Sequence, residues 1–368
     1  MSTWHVMISG GGTGGHLFPA LAIADALRAR HPQAQIHFVG ARGRMEMQRV
    51  PRAGYPIYGL WISGIQRSLS RRNLLFPFKL AHSLYRSWRI LRRHRPQVVI
   101  GTGGYASGPL VYMASRMGIP SLLQEQNSYP GITNRWLAAR AARICVAYPG
   151  MERFFPAERL RLTGNPIRQD LCDPGPDGPA ARKTFGLRPQ NKTLLILGGS
   201  LGARRINELV EACLPAWQAE GINVIWQCGK LYGNTLRRRH ANGPSLYLSE
   251  FLEDMPTAFA AAHLVISRAG AGTLSELAVV AKPAILIPSP NVAEDHQTHN
   301  ARALEKAGGA VCFPEAQDPE NLKVTSLDLL NDEARQESMQ ARLRQAARPR
   351  ATEAIVAEIE KIRADAGL

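Results

Sequence analysis

The most informative part of the sequence for the fold is Trp4-His-Val-Met-Ile-Ser-Gly-Gly-Gly-Thr-Gly-Gly-His-Leu-Phe-Pro19. An apolar strand leads into five glycines among six residues and then into a helix, which we expect to run from Pro19 to about Arg30. Glycine lets the chain turn with positive φ, and it lets an anion approach the backbone without meeting a Cβ atom. Because N–H groups at a helix N-terminus attract anions, the stretch predicts a phosphate-binding turn in an α/β fold.

The spacing Gly10-x-Gly12-x-x-Gly15 also fits the dinucleotide-binding fingerprint. That fingerprint asks for an acidic residue at the end of the second strand, where it binds a ribose. The second strand is followed by Arg42 and Arg44 and has no acid at its end, which weakens an NAD interpretation and leaves NADP open. Taken by itself, the loop could also be only a tight turn.

The composition excludes several classes of protein. A chain of 368 residues with 45% apolar and 20% charged residues is long enough for two domains and is not disordered. The five cysteines have no metal-ligand spacing, which indicates a reducing cytosol and argues against structural zinc or a disulfide framework. We find no export leader and no apolar run of about 20 residues, so we expect neither export nor a membrane-spanning helix.

The positive charge is concentrated in the first half of the chain. The net charge is +16, of which residues 1–163 carry +17 and residues 164–368 carry −1. A field of that size attracts an anionic partner, either nucleic acid or an acidic membrane face.

Apolar strands alternate with helical stretches in both halves, which predicts two parallel sheets with helices on both faces. The predicted strands of the first half are 4–9, 35–39, 57–61, 98–101, 120–124, 143–147 and 160–163, and those of the second half are 193–197, 223–227, 245–248, 264–267, 284–287 and 310–313. Residues 164–180 are rich in Gly and Pro and read as a linker. The last helical stretch, about 332–366, reads as two helices broken near Pro349.

A basic and aromatic segment, 67–95, has no acidic residue. If it is helical from about Pro77, one stripe contains Phe78, Ala81, Tyr85, Trp88 and Leu91, and arginines flank it. That pattern is typical of a helix lying on an anionic bilayer. The alternative is that the stripe packs on the sheet and the arginines are solvated.

Further loops carry glycines or polar side chains at strand ends, where open α/β sheets bind ligands. They are the loops at 101–108, 124–127, 198–202, 267–276 and 288–300. Glu276 follows Thr273 at a helix N-terminus, where a carboxylate could accept hydrogen bonds from ribose hydroxyls. Its alternative role is to stabilise the first turn of its own helix.

Taken together, these motifs resemble the MurG family of peptidoglycan glycosyltransferases. The resemblance covers almost the whole chain in the family's order. It is carried by Gly10-Gly-Gly-Thr-Gly-Gly-His-Leu-Phe-Pro19, Gly103-Gly-Tyr-Ala-Ser-Gly108, Glu125-Gln-Asn127, Gly164-Asn-Pro-Ile-Arg168, Gly198-Gly-Ser-Leu-Gly-Ala203, Ser267-Arg-Ala-Gly-Ala-Gly-Thr-Leu-Ser-Glu276 and Asp295-His-Gln-Thr-His-Asn-Ala301.

The resemblance implies an α/β fold of GT-B architecture, with two Rossmann-like doubly wound parallel-sheet domains facing a cleft. It implies an acceptor- and membrane-associating domain at 1–163, a linker at 164–180 and a UDP-sugar-binding domain at 181–347, with a C-terminal helix at about 350–366 packing back on the first domain. It also implies inverting transfer of N-acetylglucosamine from UDP-N-acetylglucosamine to a lipid-linked muramyl pentapeptide at the cytoplasmic face of the plasma membrane, with no cofactor, metal or nucleic acid.

Site residues carried over from the resemblance fall into two groups. The implied substrate contacts are Thr13, Gly14, Gly15, Asn127, Arg168, Ser200, Leu252, Thr273, Glu276 and Gln297. The implied membrane contacts are Arg71, Arg72, Leu75, Phe76, Phe78 and Trp88.

Two positions depart from the family pattern. Gln124 stands where relatives often have His, so no histidine base is possible there, and His296 stands where some relatives have Gln, which leaves sugar recognition there open. Because a general base should titrate near neutral pH, His16 is the first candidate, and Glu125 is the second. His16 could instead only donate a hydrogen bond that orients a ligand. The competing functions are a UDP-sugar epimerase of the same architecture and a basic nucleic-acid-binding protein.

Overall fold

The structure is a computed structural model that describes residues 4–64, 75–173 and 175–367. The chain forms two compact units. The first contains the chain up to Ile167 together with the chain from Arg350 onward, and the second contains Arg168–Pro349.

The first unit contains a parallel sheet with helices on both faces. Its strands are β1 (His5–Ser9), β2 (Gln35–Ala41), β3 (Ile57–Leu60), β4 (Val98–Gly101), β5 (Ser121–Glu125), β6 (Arg143–Val146) and β7 (Leu160–Leu162). Its described helices are α1 (Gly14–Arg30), α2 (Glu46–Arg52), α3 (Phe76–His94), α4 (Ser107–Arg116), α5 (Ile132–Leu137) and, at the end of the chain, α14 (Ala351–Asp365). The strand order is β3-β2-β1-β4-β5-β6-β7.

The second unit repeats this plan. Its strands are β8 (Thr193–Leu197), β9 (Asn223–Gln227), β10 (Leu246–Ser249), β11 (Leu264–Ser267), β12 (Ala284–Leu286) and β13 (Ala310–Cys312). Its described helices are α6 (Gly178–Thr184), α7 (Arg204–Ala219), α8 (Gly233–Arg239), α9 (Met255–Ala261), α10 (Ala271–Val280), α11 (His296–Lys306), α12 (Pro319–Asn331) and α13 (Glu333–Ala346). The strand order is β10-β9-β8-β11-β12-β13.

The predicted pair of Rossmann-like sheets is confirmed. All thirteen predicted strands form, and their ends differ from the predicted ones by two residues at most. The central strands are buried on both faces, as in β8, where all five residues are buried. Such strands read as continuous apolar runs, which is why the sequence identifies them.

The order of the strands brings particular loops together. In each sheet the direction of winding reverses between two central strands, β1 and β4 in the first and β8 and β11 in the second. Ser9 pairs with Gly101 at the end of one pair, and Leu197 pairs with Ser267 at the end of the other. In each unit, the two loops that leave these strand ends therefore meet at that unit's own switch point, where open α/β sheets bind ligands.

The predicted start of the first helix was wrong. Helix α1 begins at Gly14 rather than at Pro19, so Pro19 lies inside it. Proline has no N–H to donate to the carbonyl of Gly15, four residues earlier. Gly14 and Gly15 begin the first helical turn, which also contains His16, and Thr13 is the N-cap.

Helix α14 belongs to the first unit, where it packs on α1. Its apolar side chains Ile355, Val356, Ile359 and Ile362 join the core beneath β1 and β4. Glu358 forms ion pairs with Arg143 and Arg161 from the neighbouring strands, each at 3.5 Å. Both apolar packing and charge thus hold the last helix against the first sheet.

Helix α3 buries a side that contains only one residue of the predicted apolar stripe, Leu91. Its buried residues are Ser83, Ser87, Ile90 and Leu91, of which Ile90 and Leu91 join the core between α4 and one face of the first sheet. Most of the predicted apolar stripe lies outside, with Phe78 68% and Tyr85 59% exposed. The alternative that this stripe packs on the sheet is wrong for these two aromatics, whereas Leu91 of the same stripe is buried in the core.

Candidate functional site

The first glycine loop lies on a buried carboxylate that sequence reasoning missed. Glu46, the first residue of α2, is 0% exposed. Both of its carboxylate oxygens accept the Gly12 N–H, at 3.1 and 3.2 Å, and Oε1 also accepts the Ala41 N–H at 3.1 Å. One N–H of the predicted phosphate-binding turn is therefore already bound to an anion of the chain itself.

Glu46 also bears on the dinucleotide interpretation. The expected ribose-binding acid would follow the second strand and face the ligand. Glu46 comes five residues after the end of that strand, but it turns inward to the loop and is buried. The described residues at this strand end thus offer no outward carboxylate to a ribose.

Thr13, Gly14 and Gly15 lie at the start of α1. Thr13 and Gly15 are exposed, and Gly14 is half-buried. The first N–H groups of a helix have no carbonyl partner within the helix. These three residues can therefore still offer backbone donors to an anionic group, and their role as substrate contacts stays a prediction.

His16 is held by the loops that follow β4 and β5. Its Nδ1 lies 3.1 Å from the carbonyl oxygen of Thr102 and 3.0 Å from Oε1 of Gln126. The Thr102 hydroxyl donates to the His16 carbonyl oxygen at 2.8 Å, which fixes the backbone beneath the ring. A Cβ atom on Gly103 would lie 2.9 Å from Nδ1, so this loop can approach the ring only with glycine there.

The surroundings of His16 favour a neutral ring. Burial lowers its pKa, although the hydrogen bonds to Gln126 and Thr102 and the charge of Glu46 oppose that shift. The positive end of the α1 dipole acts in the same direction as burial. A neutral imidazole keeps one nitrogen lone pair, which is what a general base needs.

Glu125, the second candidate base, is saturated with hydrogen bonds. It accepts from the Asn127 N–H at 3.0 Å, the Asn127 side chain at 3.2 Å, the Asn134 side chain at 2.9 Å and the Gly131 N–H at 3.2 Å. Burial raises its pKa, and these bonds oppose the rise. A buried carboxylate with four donors organises its loop, including Asn127, so this geometry does not favour Glu125 as the base.

In the second unit, the glycine loop 198–202 packs on the loop after β9. Lys230 N–H donates to the Ser200 carbonyl oxygen at 3.1 Å, and Leu231 N–H donates to the Leu201 carbonyl oxygen at 3.2 Å. A Cβ atom on Gly202, whose φ is +92°, would lie 2.3 Å from the Cys228 carbonyl oxygen. The glycine thus permits the close packing, and the Ser200 residue stays exposed beside the start of α7.

A polar cavity of about 390 Å³ opens beside this loop. It is lined by Gly198, Gly202, Ala203, Arg204, Arg205, Arg268, Ser289, Asn291, Gln297 and Glu315. Of the predicted donor contacts, Gln297 lines it, and its Oε1 accepts the Ser289 N–H at 2.9 Å. The cavity therefore combines backbone donors at a helix start with three arginines that sequence reasoning did not assign.

Two of these three arginines, Arg205 and Arg268, form hydrogen bonds along one wall of the cavity. Arg268 donates to the carbonyl oxygens of Ile287 and Pro288, both at 3.1 Å, and forms an ion pair with Glu315. Arg205 donates to the Glu315 carbonyl oxygen at 3.0 Å. The sequence signal that could have identified Arg268 as a site residue was its position directly after β11, because that position places a charge at the switch point of the second sheet.

Two predicted contacts, Arg168 and Glu276, meet at α10. Arg168 Nε lies 3.4 Å from Glu276 Oε1. Burial raises the pKa of Glu276, and the charge of Arg168 opposes the rise. Helix α10 begins at Ala271, so Glu276 lies beyond its first turn, and the alternative that it stabilises that turn is wrong. Thr273, half-buried, is the third residue of the helix.

Leu252 does not present its side chain to a ligand. It is 4% exposed and packs in the core on one face of the second sheet. Its role as a donor contact stays a prediction, and its backbone is the part best placed to make that contact. Arg71 and Arg72, two of the predicted membrane contacts, lie outside the described residues.

The metal-ligating side chains of the described residues are dispersed. In those parts of the chain, no three His, Cys, Asp or Glu side chains come together in a group that could hold a metal ion. The charged groups that do converge near the candidate sites are arginines and single carboxylates.

Comparisons with known proteins agree over nearly the whole chain. The N-terminal and C-terminal domain models of glycosyltransferase family 28 match residues 6–146 and 193–355. A Christiangramia forsetii protein named UDP-N-acetylglucosamine--N-acetylmuramyl-(pentapeptide) pyrophosphoryl-undecaprenol N-acetylglucosamine transferase is 50% identical over 97% of both chains. The crystal structure of Acinetobacter baumannii MurG superposes with a TM-score of 0.79 at 32% identity, over 97% of this chain and 99% of that one. The chain belongs to the MurG family.

Other similarities are consistent with MurG-family membership. A Flavobacterium psychrophilum protein with the same transferase name is 49% identical over 98% of both chains. A solved UDP-N-acetylglucosamine 2-epimerase superposes with a TM-score of 0.64, but at 15% identity that likeness shows the fold alone. The comparisons thus favour a MurG-type transferase over the epimerase alternative.

Proposed function

We propose that the chain transfers N-acetylglucosamine from UDP-N-acetylglucosamine to the C4 hydroxyl of undecaprenyl-diphospho-N-acetylmuramoyl-pentapeptide, with inversion at the anomeric carbon. The observation that carries this proposal is the 50% identity, over 97% of both chains, to a curated protein whose name specifies that transfer. The candidate sites of the two units supply the chemistry that the transfer needs.

His16 is the proposed base. The C4 hydroxyl becomes a stronger nucleophile as it loses its proton, and a neutral imidazole accepts that proton while the new glycosidic bond forms. The Nδ1 atom of His16 is engaged with Thr102 and Gln126, so Nε2 is the atom that would take the proton. The bond to UDP breaks on the opposite face of the sugar, which inverts the anomeric carbon.

The departing UDP carries developing negative charge on its diphosphate. Helix N-termini stabilise such charge, and Ser200 and Thr273 lie at or beside the starts of α7 and α10. Arg168 adds a positive charge near α10, where Glu276 can accept hydrogen bonds from the ribose. In this proposal the second unit holds the donor.

The transfer is tested with the purified chain, labelled UDP-N-acetylglucosamine and the lipid-linked muramyl acceptor. We expect label in the lipid product and release of UDP. An incubation with donor alone is the control for an epimerase, which would change the sugar without any acceptor. Failure to label the lipid at high enzyme concentration would refute the proposal.

We also propose that the enzyme works as a peripheral protein on the cytoplasmic face of the plasma membrane. None of the helices in the described ranges is both long and apolar enough to cross a bilayer. Leu75, Phe78 and Tyr85 expose large apolar surfaces on or beside α3, and the half-buried Trp88 stacks with Tyr85 at 5.9 Å. Aromatic side chains flanked by arginines suit the boundary of an anionic bilayer.

An apolar groove beside α3 also fits a lipid-linked acceptor. Its volume is about 460 Å³. Its lining comprises Ile62, Phe76, Leu80, Leu84, Tyr105, Gly108, Pro109, Tyr112, Ile132, Thr133 and Trp136. Tyr105 belongs to the loop that holds His16, so the groove runs from the membrane-facing helix to the catalytic loop of the same unit.

Binding to vesicles tests the membrane proposal. Replacing Phe78 and Tyr85 with Ser should weaken binding to vesicles of anionic phospholipid by about tenfold or more, because two exposed apolar side chains lose their burial in lipid. Val324→Ser, at an exposed apolar residue of the second unit, is the matched control. Unchanged vesicle binding by the double variant would contradict the proposal, and salt-dependent binding to RNA without vesicle binding would favour the nucleic-acid alternative.

A further inference from the structure

We propose that Gln126, Gln124 and Asn165 form a directional chain of amide hydrogen bonds that holds His16 in the tautomer protonated at Nδ1. The inference rests on the proposed function in one respect, which is that His16 accepts the proton of the acceptor hydroxyl. It assigns the three amides as positioning residues that keep Nε2 available as a base.

The chain of contacts is continuous and buried. Gln126 Oε1 lies 3.0 Å from His16 Nδ1. The Gln126 amide group donates to the Gln124 side-chain oxygen, and the Gln124 amide group donates to Asn165 Oδ1 at 2.9 Å. Asn165 closes the ring by donating from Nδ2 to the Gln126 carbonyl oxygen at 3.0 Å. All three amide residues are almost fully buried.

Two backbone carbonyls fix the direction of this chain. Gln126 Nε2 also lies 2.8 Å from the carbonyl oxygen of Thr102 and 3.2 Å from that of Gln124, so one of its two N–H groups is shared between the two oxygens of Gln124. A carbonyl can only accept, so a reversed Gln126 amide would place oxygen against oxygen at both. Its Oε1 must therefore face His16. Because Gln126 then offers an N–H donor to the side chain of Gln124, the Gln124 side-chain oxygen must face Gln126. The NH2 group of Gln124 therefore faces Asn165.

The consequence for His16 follows from its two neighbours. Nδ1 faces the Thr102 carbonyl oxygen and Gln126 Oε1, and both are acceptors. The ring satisfies them only if Nδ1 carries the hydrogen, which leaves the lone pair on Nε2. Burial lowers the pKa of His16 and keeps the ring neutral. The tautomer is thus set by residues that need not touch the substrate.

Gln124 is the central member of the chain, and it supplies both a donor and an acceptor within one amide. A leucine at 124 would leave Gln126 Nε2 without one acceptor and Asn165 Oδ1 without one donor. A neutral histidine at 124 could still donate from one nitrogen and accept at the other. Gln124→His is therefore the conservative variant and Gln124→Leu the disruptive one.

The tautomer can be measured directly in the free enzyme. Nitrogen NMR of the protein labelled in its histidines separates protonated from unprotonated ring nitrogens, and the His16→Ala spectrum assigns the His16 signals. We expect Nδ1 to be protonated and Nε2 unprotonated at neutral pH. The opposite tautomer in the unaltered protein would overturn the proposal, and this measurement requires neither a variant that folds nor any turnover.

Substitution of Gln126 then tests the link to catalysis. Gln126→Glu places a carboxylate against Nδ1, and an adjacent opposite charge should raise the pKa of His16 by about one to three units. Activity needs the unprotonated base, so the acid limb of the kcat–pH profile should move to higher pH by the same amount. Gln126→Leu should lower kcat by about a hundredfold. Gln336→Leu, which removes a buried amide bonded to Leu329 and Leu330 in the second unit, is the matched control.

The outcomes separate this proposal from the proposed function. Unaltered His16 nitrogen signals in folded Gln126→Glu would overturn the amide chain. Gln124→His should keep the kcat–pH profile of the unaltered protein. If its profile is as altered as that of Gln124→Leu, that result would also contradict the amide chain. If the tautomer is as expected but the unaltered protein transfers no sugar, the proposed function fails while the amide chain stands.

Discussion

The two units begin in the same way and differ in what their glycine loops contact. In each, a buried strand leads through a glycine loop into a long helix, from β1 to α1 and from β8 to α7. The first loop lies on the Glu46 carboxylate and is followed at once by His16. Among the described contacts of loop 198–202, the partners are instead backbone groups of the neighbouring loops, and a polar cavity opens beside it.

That difference shows how one supersecondary unit can serve two purposes. A loop whose N–H is bound by an internal anion is fixed in position and can orient a neighbouring side chain, which suits His16 as a base. A loop without such an anion keeps its helix N-terminus available for a diphosphate. The glycine pattern is common to both, and the residue packed beneath the loop decides between them.

The largest expected effect is that of His16→Ala on turnover. Loss of a general base should lower kcat by about 10²- to 10⁴-fold. His240→Ala, which removes a histidine paired with Glu211 in the second unit, is the matched control and should leave kcat unchanged. The measurement is the rate of labelled transfer at saturating donor and acceptor, and near-wild-type turnover would remove His16 from the catalytic role.

The next effect concerns the anion beneath the first loop. Glu46→Gln replaces a carboxylate oxygen with an amide group that faces N–H donors, so the free energy of unfolding should fall by about 1–3 kcal/mol. Glu208→Gln in α7, where Glu208 is half exposed and pairs with Arg204, should change it by less than about 1 kcal/mol. Chemical denaturation measures both. Equal effects of the two variants would show that Glu46 does not fix the loop.

A further effect, on the pH dependence of stability, should appear on acidification of the second unit. The Thr193 N–H donates to Nδ1 of His263 at 3.0 Å, and burial with the nearby charges of Arg182, Lys282 and Lys192 lowers the pKa of His263 to about 4. The unfolded chain therefore binds this proton first, near the ordinary pKa of 6.5. The contribution to stability is complete above pH 6.5 and is lost as the pH falls toward 4.

His263→Gln checks this contribution. One group can contribute a slope of up to about 1.4 kcal/mol per pH unit in this window. The unfolding free energy of the variant should therefore depend less steeply on pH between 6.5 and 4 than that of the unaltered protein, in urea denaturation at several pH values. Parallel pH profiles for the two proteins would mean that His263 is not held neutral by the fold.

Much of the architecture could be predicted because burial and glycine leave local signals. Continuous apolar runs identify the strands, and glycines after β1, β4 and β8 mark the switch-point loops. Glu46 left no such signal, since a charged residue in a polar loop gives no sign of turning inward. The start of α1 was missed because glycine is a poor helix former and proline is common at a first helical position.

Other parts of the site depend on contacts between distant residues. The amide chain joins Gln124 and Gln126 to Asn165, which are far apart in sequence, and the cavity wall joins Arg268 to Glu315. Helix periodicity gave the composition of the α3 stripe but not its direction, because Ser83 and Ser87 occupy the buried face in place of larger apolar residues. Such pairings arise from the tertiary fold.

The division of labour between the two glycine loops is tested most directly by donor affinity. Calorimetric titration of UDP-N-acetylglucosamine into the full chain compares His16→Ala with Glu276→Gln. The second substitution replaces the carboxylate that pairs with Arg168 by a neutral amide. We predict that His16→Ala keeps the donor Kd of the unaltered protein, whereas Glu276→Gln raises it about tenfold or more, as expected for loss of a hydrogen bond to a charged acceptor. An equal loss of donor affinity in both variants, or a loss in His16→Ala alone, would contradict the account.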